Sequence, residues 1–299
     1  MRHGASRREL PLHLMILPAA VAVLIFSYGP LAGLVMAFQD FQPARGWFGS
    51  SFVGLDNFRY LLLLPGSVQS VWNTIYIAAG KGIFGLLTPL AIALMLNELR
   101  SLRYKRTLQT LLYLPHFLSW VILSGILIDT LSPTGGIINA GLKAVGIKPI
   151  FFLGDNHWFR GVAIVSDIWK EFGFNSIVFL AAIAGVDLAL YDAAIVDGAG
   201  HLRRLWHVTL PSLRGIIVVL ALLNLSEILN AGFDQIFNIY SPVVYQSGDI
   251  IDTFVYRTGL QNAQYAVAAA AGFFKSIVSL VLLSSSYWMA YRLADYRIF

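Results

Sequence analysis

The chain contains no cysteine, which excludes disulfides and thiolate metal sites. It also has little charge: charged types make up 12% of its 299 residues, against 57% hydrophobic types. A soluble domain carries about twice that share of charge. No Gly-x-x-x-x-Gly-Lys-Ser/Thr run, no His-Glu-x-x-His and no nucleophile-elbow pattern occurs, so neither a nucleotide-cradling loop nor a common hydrolase motif is present. His116, His157, His201 and His207 are scattered. No selectivity-filter repeat is visible, although a pore formed by oligomerisation remains open on composition.

Long apolar runs are abundant. The mean hydropathy is +0.69, which points to lipid as the solvent. Six runs approach the roughly 20 residues that a bilayer requires: residues 12–38, 71–96, 108–131, 159–183, 210–231 and 266–291. The run behind Arg2, Arg7 and Arg8 is too long for a signal core and lacks a small-residue cleavage site, so it reads as a first span that stays. Residues 1–11 form a short cytoplasmic segment, and residues 12–299 form one membrane domain. Pro18, Pro30, Pro89 and Pro115 read as helix-shaping kinks. Residues 52–64 read as a short interfacial helix, and 41–51, 132–136 and 241–248 as external turns.

The net charge of +5 could suggest nucleic acid, but the basic residues lie in short clusters between apolar runs. One set of loops holds Arg2, Arg7, Arg8, Arg100, Arg103, Lys105, Arg106, Arg203, Arg204, Arg214, Arg292 and Arg297; the other holds Arg45, Arg59, Lys143, Lys148 and Arg257. The richer set is cytoplasmic by the positive-inside rule. Both termini then face the cytoplasm, in keeping with an even number of spans, and a nucleic-acid partner is rejected.

Several charges fall inside spans. The fourth contains Asp167, Lys170 and Glu171. Three central charges cost roughly 8 to 10 kcal/mol, while a dozen apolar residues return roughly 4 to 7 kcal/mol, so this helix does not face lipid all round. Asp167 and Lys170 are three apart and could neutralise each other on one helix face. Trp169 is either a sugar-stacking ring or a packing aromatic. Asn224, Glu227, Asn230 and Asp234 fall at helical spacing in the fifth span and its exit, with Gln235 beside them, and predict one polar stripe. Such a stripe suits a wet pathway or a partner helix, and amides and carboxylates suit a polyhydroxyl substrate. Lys81 and Lys275, within the second and sixth spans, could snorkel, pair with a carboxylate or attract an acidic substrate.

Residues 187–211 are the most informative stretch. Asp187 predicts an N-cap for a short helix ending near Val196, and Gly198 and Gly200 predict a sharp turn after it. A basic, aromatic second arm then leads into the fifth span. The run Asp192-Ala-Ala, Gly198, Val208, Leu210, Pro211 resembles the cytoplasmic loop of permeases in binding-protein-dependent ABC importers. That loop reads Glu-Ala-Ala, three residues, Gly, nine residues, Ile-x-Leu-Pro; Asp192 for Glu and Val208 for Ile are the two departures. Further segments resemble the oligosaccharide and polysaccharide-fragment branch, which includes alginate-type importers: Tyr113-Leu-Pro-His-Phe-Leu-Ser-Trp120, Ile168-Trp-Lys170, Leu229-Asn-Ala-Gly-Phe-Asp-Gln235 and Ile251-Asp-Thr-Phe-Val-Tyr-Arg257.

The resemblance implies an all-α type I importer permease fold of about six transmembrane helices with a cytoplasmic coupling helix. It implies contacts to an ATPase at Tyr191, Asp192, Ala193, Ala194, Asp197, Gly198, His201 and Arg203, and a substrate path near Trp169, Lys170, Glu171, Asn175, Asn224, Glu227, Asn230, Asp234 and Gln235. It implies a second, homologous permease making a heterodimer, a cytoplasmic ATPase dimer, an external or periplasmic solute-binding protein, and an oligosaccharide carried across the bacterial inner membrane. The chain itself is then no enzyme and holds no cofactor; ATP and Mg belong to the partner ATPase. Alginate is an acidic cargo that Lys81, Lys170 and Lys275 would favour and Asp167, Glu171, Glu227 and Asp234 would disfavour unless paired. The competing expectation is an ion-coupled secondary sugar transporter using the buried carboxylates.

Overall fold

The computed structural model describes residues 3–294; Arg2 and Arg297, two of the charges used for orientation, lie outside the described residues. The chain is almost wholly helical and forms two compact units, Met1–Leu64 with Val255–Phe274, and Pro65–Phe254 with Lys275–Phe299.

In the first unit, α1 (His3–Val23) begins within the segment expected to precede the membrane. It continues through a π-helical turn, Leu24–Tyr28, into a 3-10 stretch, Gly29–Phe38, with Pro30 near its start. A two-stranded antiparallel ribbon follows, β1 (Gln39–Asp40) and β2 (Ser51–Phe52), with Gln39 opposite Phe52. The expected interfacial helix is α2 (Asp56–Leu63), with Leu62 and Leu63 exposed. Asn57 fastens it by donating to the carbonyls of Ala37 and Gln39 at 3.0 and 2.9 Å. Phe38, Phe58 and Phe273 pack ring to ring, with centroids 5.3 to 6.0 Å apart.

The second unit is built on α3 (Ser67–Asn97), which packs most extensively against α7 (Asn156–Ala184). Between them in sequence lie α4 (Leu102–Tyr113), α5 (Trp120–Leu131) and α6 (Ile137–Ala144). The third expected span is not one helix. The chain bends by 100° between Phe117 and Trp120. Pro115 lies in a 3-10 turn, Leu114–Phe117, and the Ser119 hydroxyl caps α5 by accepting from the Ile122 N–H. Proline fixes φ and removes a donor, and a serine N-cap restarts a helix in a new direction; together they make the break.

After α7 come α8 (Leu188–Val196), a short helix His201–Arg204, a π-helical turn Leu205–Thr209, and α9 (Leu210–Ser226). The chain then runs through α10 (Phe233–Ile239) and α11 (Ile251–Tyr256) to α12 (Tyr265–Ala294). Among the described residues, four helical stretches are long and apolar enough to cross a bilayer, and six when the bent pairs α4–α5 and α7–α8 each count as one span. Large apolar side chains point outward, among them Ile83, Val121, Leu223 and Val281. An apolar exterior of this kind is unusual in water and matches a lipid solvent.

Both ends of α3 and α7 are packed: Ala93, Phe179, Ile183 and Leu213 form one cluster, and at the other end Ile77, Phe159, Ala163, Ile236, Val244 and Ile250 form a second. Asn73 is fully buried there. Its amide donates to the carbonyls of Gln246 and Asp249 at 3.2 and 2.9 Å, and its oxygen accepts from Arg160 at 2.7 Å. At Gly173 an added Cβ would stand 2.0 Å from the Leu112 carbonyl oxygen, so only glycine admits this approach of α4 to α7.

Candidate functional site: a polar cavity wall and an exposed capped helix

Asp167 and Glu171 are one helical turn apart on α7 and share a face. Asp167 does not pair with Lys170. Its carboxylate lies 3.0 Å from the Lys81 ammonium of α3. The same ammonium donates to the Ala231 carbonyl at 2.7 Å and to the Gln235 side-chain oxygen. An ammonium has three N–H donors, and Lys81 uses all three. Gln235, with no exposed surface, passes the network on by donating to the Ala163 carbonyl and the Ser166 hydroxyl, both at 2.8 Å.

Lys170 turns away to a second network. It is buried and donates to the His116 carbonyl at 2.9 Å and to Glu171 at 2.7 Å. The other Glu171 oxygen is 2.7 Å from His116 Nδ1, and the His116 ring stacks on Phe174 with centroids 3.9 Å apart. Lys170 also sits over the Trp120 ring, 5.7 Å from its centroid. His116 and Trp120 flank the break between α4 and α5, so this network holds the break against α7.

The expected continuous stripe from Asn224 to Asp234 is not a helix face. Helix α9 ends at Ser226 and α10 starts at Phe233. Gly232, at the start of α10, has φ +88°, and a Cβ there would meet the Lys81 ammonium at 3.0 Å. The backbone leaves the helix and wraps the lysine, bringing the Ala231 carbonyl within reach.

A cavity of about 310 Å³ opens on this wall, lined by Lys81, Gly82, Gly85, Asp167, Glu171, Asn175, Asn224, Glu227 and Asn230 among others. Of the residues expected on a substrate path, Glu171, Asn175, Asn224, Glu227 and Asn230 line it. Gln235 lies beneath it as a buried anchor, Lys170 is turned toward His116, Trp169 is exposed on α7 away from the lining, and Asp234 is exposed on α10 outside it.

Glu227 and Asn230 also border a second cavity of about 490 Å³, whose far side is Lys275, Ser276, Ser279, Leu280 and Leu283 of α12. Lys275 is paired with Asp252 at 2.5 Å. Gly82, Gly85, Ser276 and Ser279 were not expected in a site. The signal for the last two was their position with Leu280 and Leu283 on one helix face.

The segment 187–211 folds as its local signals specify. The Asp187 carboxylate accepts from the Ala189 N–H at 2.9 Å. Helix α8 turns 68° from α7. Gly198 stands at φ +74°, and the Ala199 N–H closes on the Ala194 carbonyl at 2.8 Å. Asp192, Ala193, Asp197 and Gly198 are exposed, as are the apolar Leu188, Ile195 and Val196, while Tyr191 and Ala194 are half-buried. An uncovered apolar flank on a short capped helix is a docking surface by its chemistry. His201 meets Glu98 at 3.3 Å, and Arg203 is exposed with its carbonyl 2.9 Å from His207 Nδ1.

Residues 82–295 match the family of binding-protein-dependent transport system inner membrane components. The chain belongs to this family. The matched region contains the coupling segment and every cavity-lining residue named above except Lys81. Protein LplB of Bacillus subtilis is 39% identical over 287 residues, covering 96% of this chain and 90% of that protein. The polygalacturonan/rhamnogalacturonan transport system permease YteP of the same organism is 39% identical over 288 residues, with the same coverage. A crystal structure of a bacterial ABC transporter that imports the acidic polysaccharide alginate superposes with a TM-score of 0.89 at 40% identity, over 96% of this chain and 97% of that one. The chain is thus an inner-membrane permease of the ABC importer class, with the fold that its loop motif implied.

Proposed function

We propose that this chain is one of two related permeases that together carry an oligosaccharide from an external binding protein to the cytoplasm by alternating access. Its termini and α8 lie on the cytoplasmic side, where the basic loops are, and two ATPase subunits, holding ATP and Mg, dock on α8. The observation that carries the reading is α8 itself: a capped, glycine-terminated helix with an uncovered apolar flank, in the sequence pattern of a coupling loop. One relative supports the binding-protein partner: a related alginate transporter was crystallised with an alginate pentasaccharide-bound periplasmic protein, and its chain is 39% identical to this one.

The cavity wall supports a saccharide cargo and says how it is held. Lys81, Lys170 and Lys275 are each engaged by protein oxygens, so the wall offers acceptors: Asp167, Glu171, Glu227 and the amide oxygens of Asn175, Asn224 and Asn230. Carboxylates and amide oxygens accept from sugar hydroxyls and repel uronate carboxylates. If the cargo is a polyuronate such as those carried by the relatives, its acid groups face the second permease and its hydroxyls face this one. No covalent chemistry by this chain is required. The pairing of Asp167 and Glu171 to fixed lysines also speaks against ion-coupled transport, which needs a carboxylate free to exchange its ion.

The test is co-purification with the neighbouring gene products, wild type against Gly198→Trp, followed by ATPase measurements in liposomes. The wild type is expected to retain an ATPase that loaded binding protein stimulates, and the bulky variant to lose that stimulation. Transport that persists without ATP would contradict the proposal.

A further inference from the structure

Helix α8 is joined to α9 through a turn whose backbone hydrogen bonds tie Ala199 back to α8 and Gly200 forward to the second arm. Gly198 and Gly200 lie in it, and no atom comes within 4 Å of where their Cβ atoms would be. Glycines in open space leave the backbone free to rotate, so a force on α8 would be absorbed there by pivoting. One side-chain contact bridges the turn: the hydroxyls of Tyr191, on α8, and Thr209, at the foot of α9, share a hydrogen bond of 2.9 Å. The contact of Glu98 with His201 lies beyond the glycines and ties the second arm to the end of α3; it does not restrain α8.

Thr209 is buried, and it closes the π-helical turn Leu205–Thr209. Helix α9 starts at the next residue and carries Asn224 at its other end, about 22 Å away at 1.5 Å per residue. Asn224 and Glu227 border the cargo cavity. A fixed joint at Thr209 therefore connects the docking helix to the cargo wall through one stiff rod.

We propose that the Tyr191–Thr209 hydroxyl pair is the positioning joint that makes α8 and α9 move as one body, so that ATPase closure displaces the cargo wall instead of rotating α8 about Gly198 and Gly200. This rests on the importer reading above. It assigns Thr209, a buried residue outside the cavity lining, a part in the stoichiometry of transport.

The test uses the complete importer in liposomes and reads two quantities: ATPase retained on purification, and cargo moved per ATP hydrolysed. Tyr191→Phe and Thr209→Val each remove one hydroxyl with little change in shape. Thr209→Val is expected to retain the ATPase and to lose about fivefold in cargo per ATP, the population change set by one neutral hydrogen bond; Tyr191→Phe, at an expected ATPase contact, is read by its cargo per ATP alone and is expected to lose the same. The double variant is expected to be no worse than either single, because both remove the same interaction, and Thr209→Ser to restore the wild-type ratio. Unchanged ratios in the singles, losses that multiply in the double, or loss of the ATPase from Thr209→Val would overturn the joint while leaving the importer reading intact. A wild type that retains no ATPase contradicts that reading and this proposal together.

Discussion

The coupling segment and the cavity wall are built from opposite kinds of contact. Helix α8 is defined by neighbours in sequence: Asp187 caps it from the residue just before it, and Gly198 lies two residues past its end. The wall is defined by partners far apart. Lys81 meets Asp167 across 86 residues and Gln235 across 154. Local contacts make an element that forms on its own terms and can be moved as a piece. Distant contacts make a surface that exists only when several helices are in place. On this account, changes in the wall act mainly on stability, and changes in the coupling segment mainly on function.

The largest effect is expected where α4 meets α7. Gly173→Leu would drive a side chain into the Leu112 carbonyl. A backbone collision exceeds ordinary overpacking, which costs about 1 to 3 kcal/mol, so the variant should yield little monodisperse protein in detergent. Gly125→Ala, in open space by the same measure, should purify as wild type.

Next is the ion pair. Lys81→Met leaves Asp167 without its partner, and breaking a buried pair this way costs about 3 kcal/mol or more; the quarter of Asp167 that remains exposed places it at the low end. Thermal unfolding in detergent should show a clear loss, and Lys81→Met with Asp167→Asn should regain part of it. Equal losses in the single and double variants would mean that the charge pairing is not what holds the wall.

The smallest stability effect belongs to the coupling segment. Asp187→Ala removes one cap, worth about 1 kcal/mol. The melting temperature should barely move, while ATPase stimulation by loaded binding protein falls. A large shift in melting temperature with stimulation intact would reverse the comparison.

The same contrast explains what could be read before folding. The cap at Asp187, the turn at Gly198 and the end near Val196 were legible, since each is a local signal. The six apolar runs were legible as spans, but the 100° break after Phe117 was hidden in a run whose hydropathy continues through it; Pro115 and Ser119 were its only marks. The stripe from Asn224 to Asp234 failed because helical spacing was extended past Ser226, where α9 ends, and across Gly232, whose left-handed φ precedes a new helix. That the buried charges are compensated could be expected from lipid energetics. That Asp167 would choose Lys81 over the nearer Lys170 could not, because the choice depends on α3 packing against α7.

The absence of cysteine makes the central claim, that this wall faces a wet cargo path, directly testable. A thiol reacts through its thiolate, which forms in water and not in lipid. Asn224→Cys and Leu223→Cys place single thiols at adjacent positions, one lining the cavity and one exposed on the apolar exterior. In the assembled importer, a membrane-impermeant maleimide should label Asn224→Cys, with labelling reduced by cargo delivered from its binding protein, and should leave Leu223→Cys unmodified. Labelling of Leu223→Cys with Asn224→Cys inert would place lipid where the account puts the cargo.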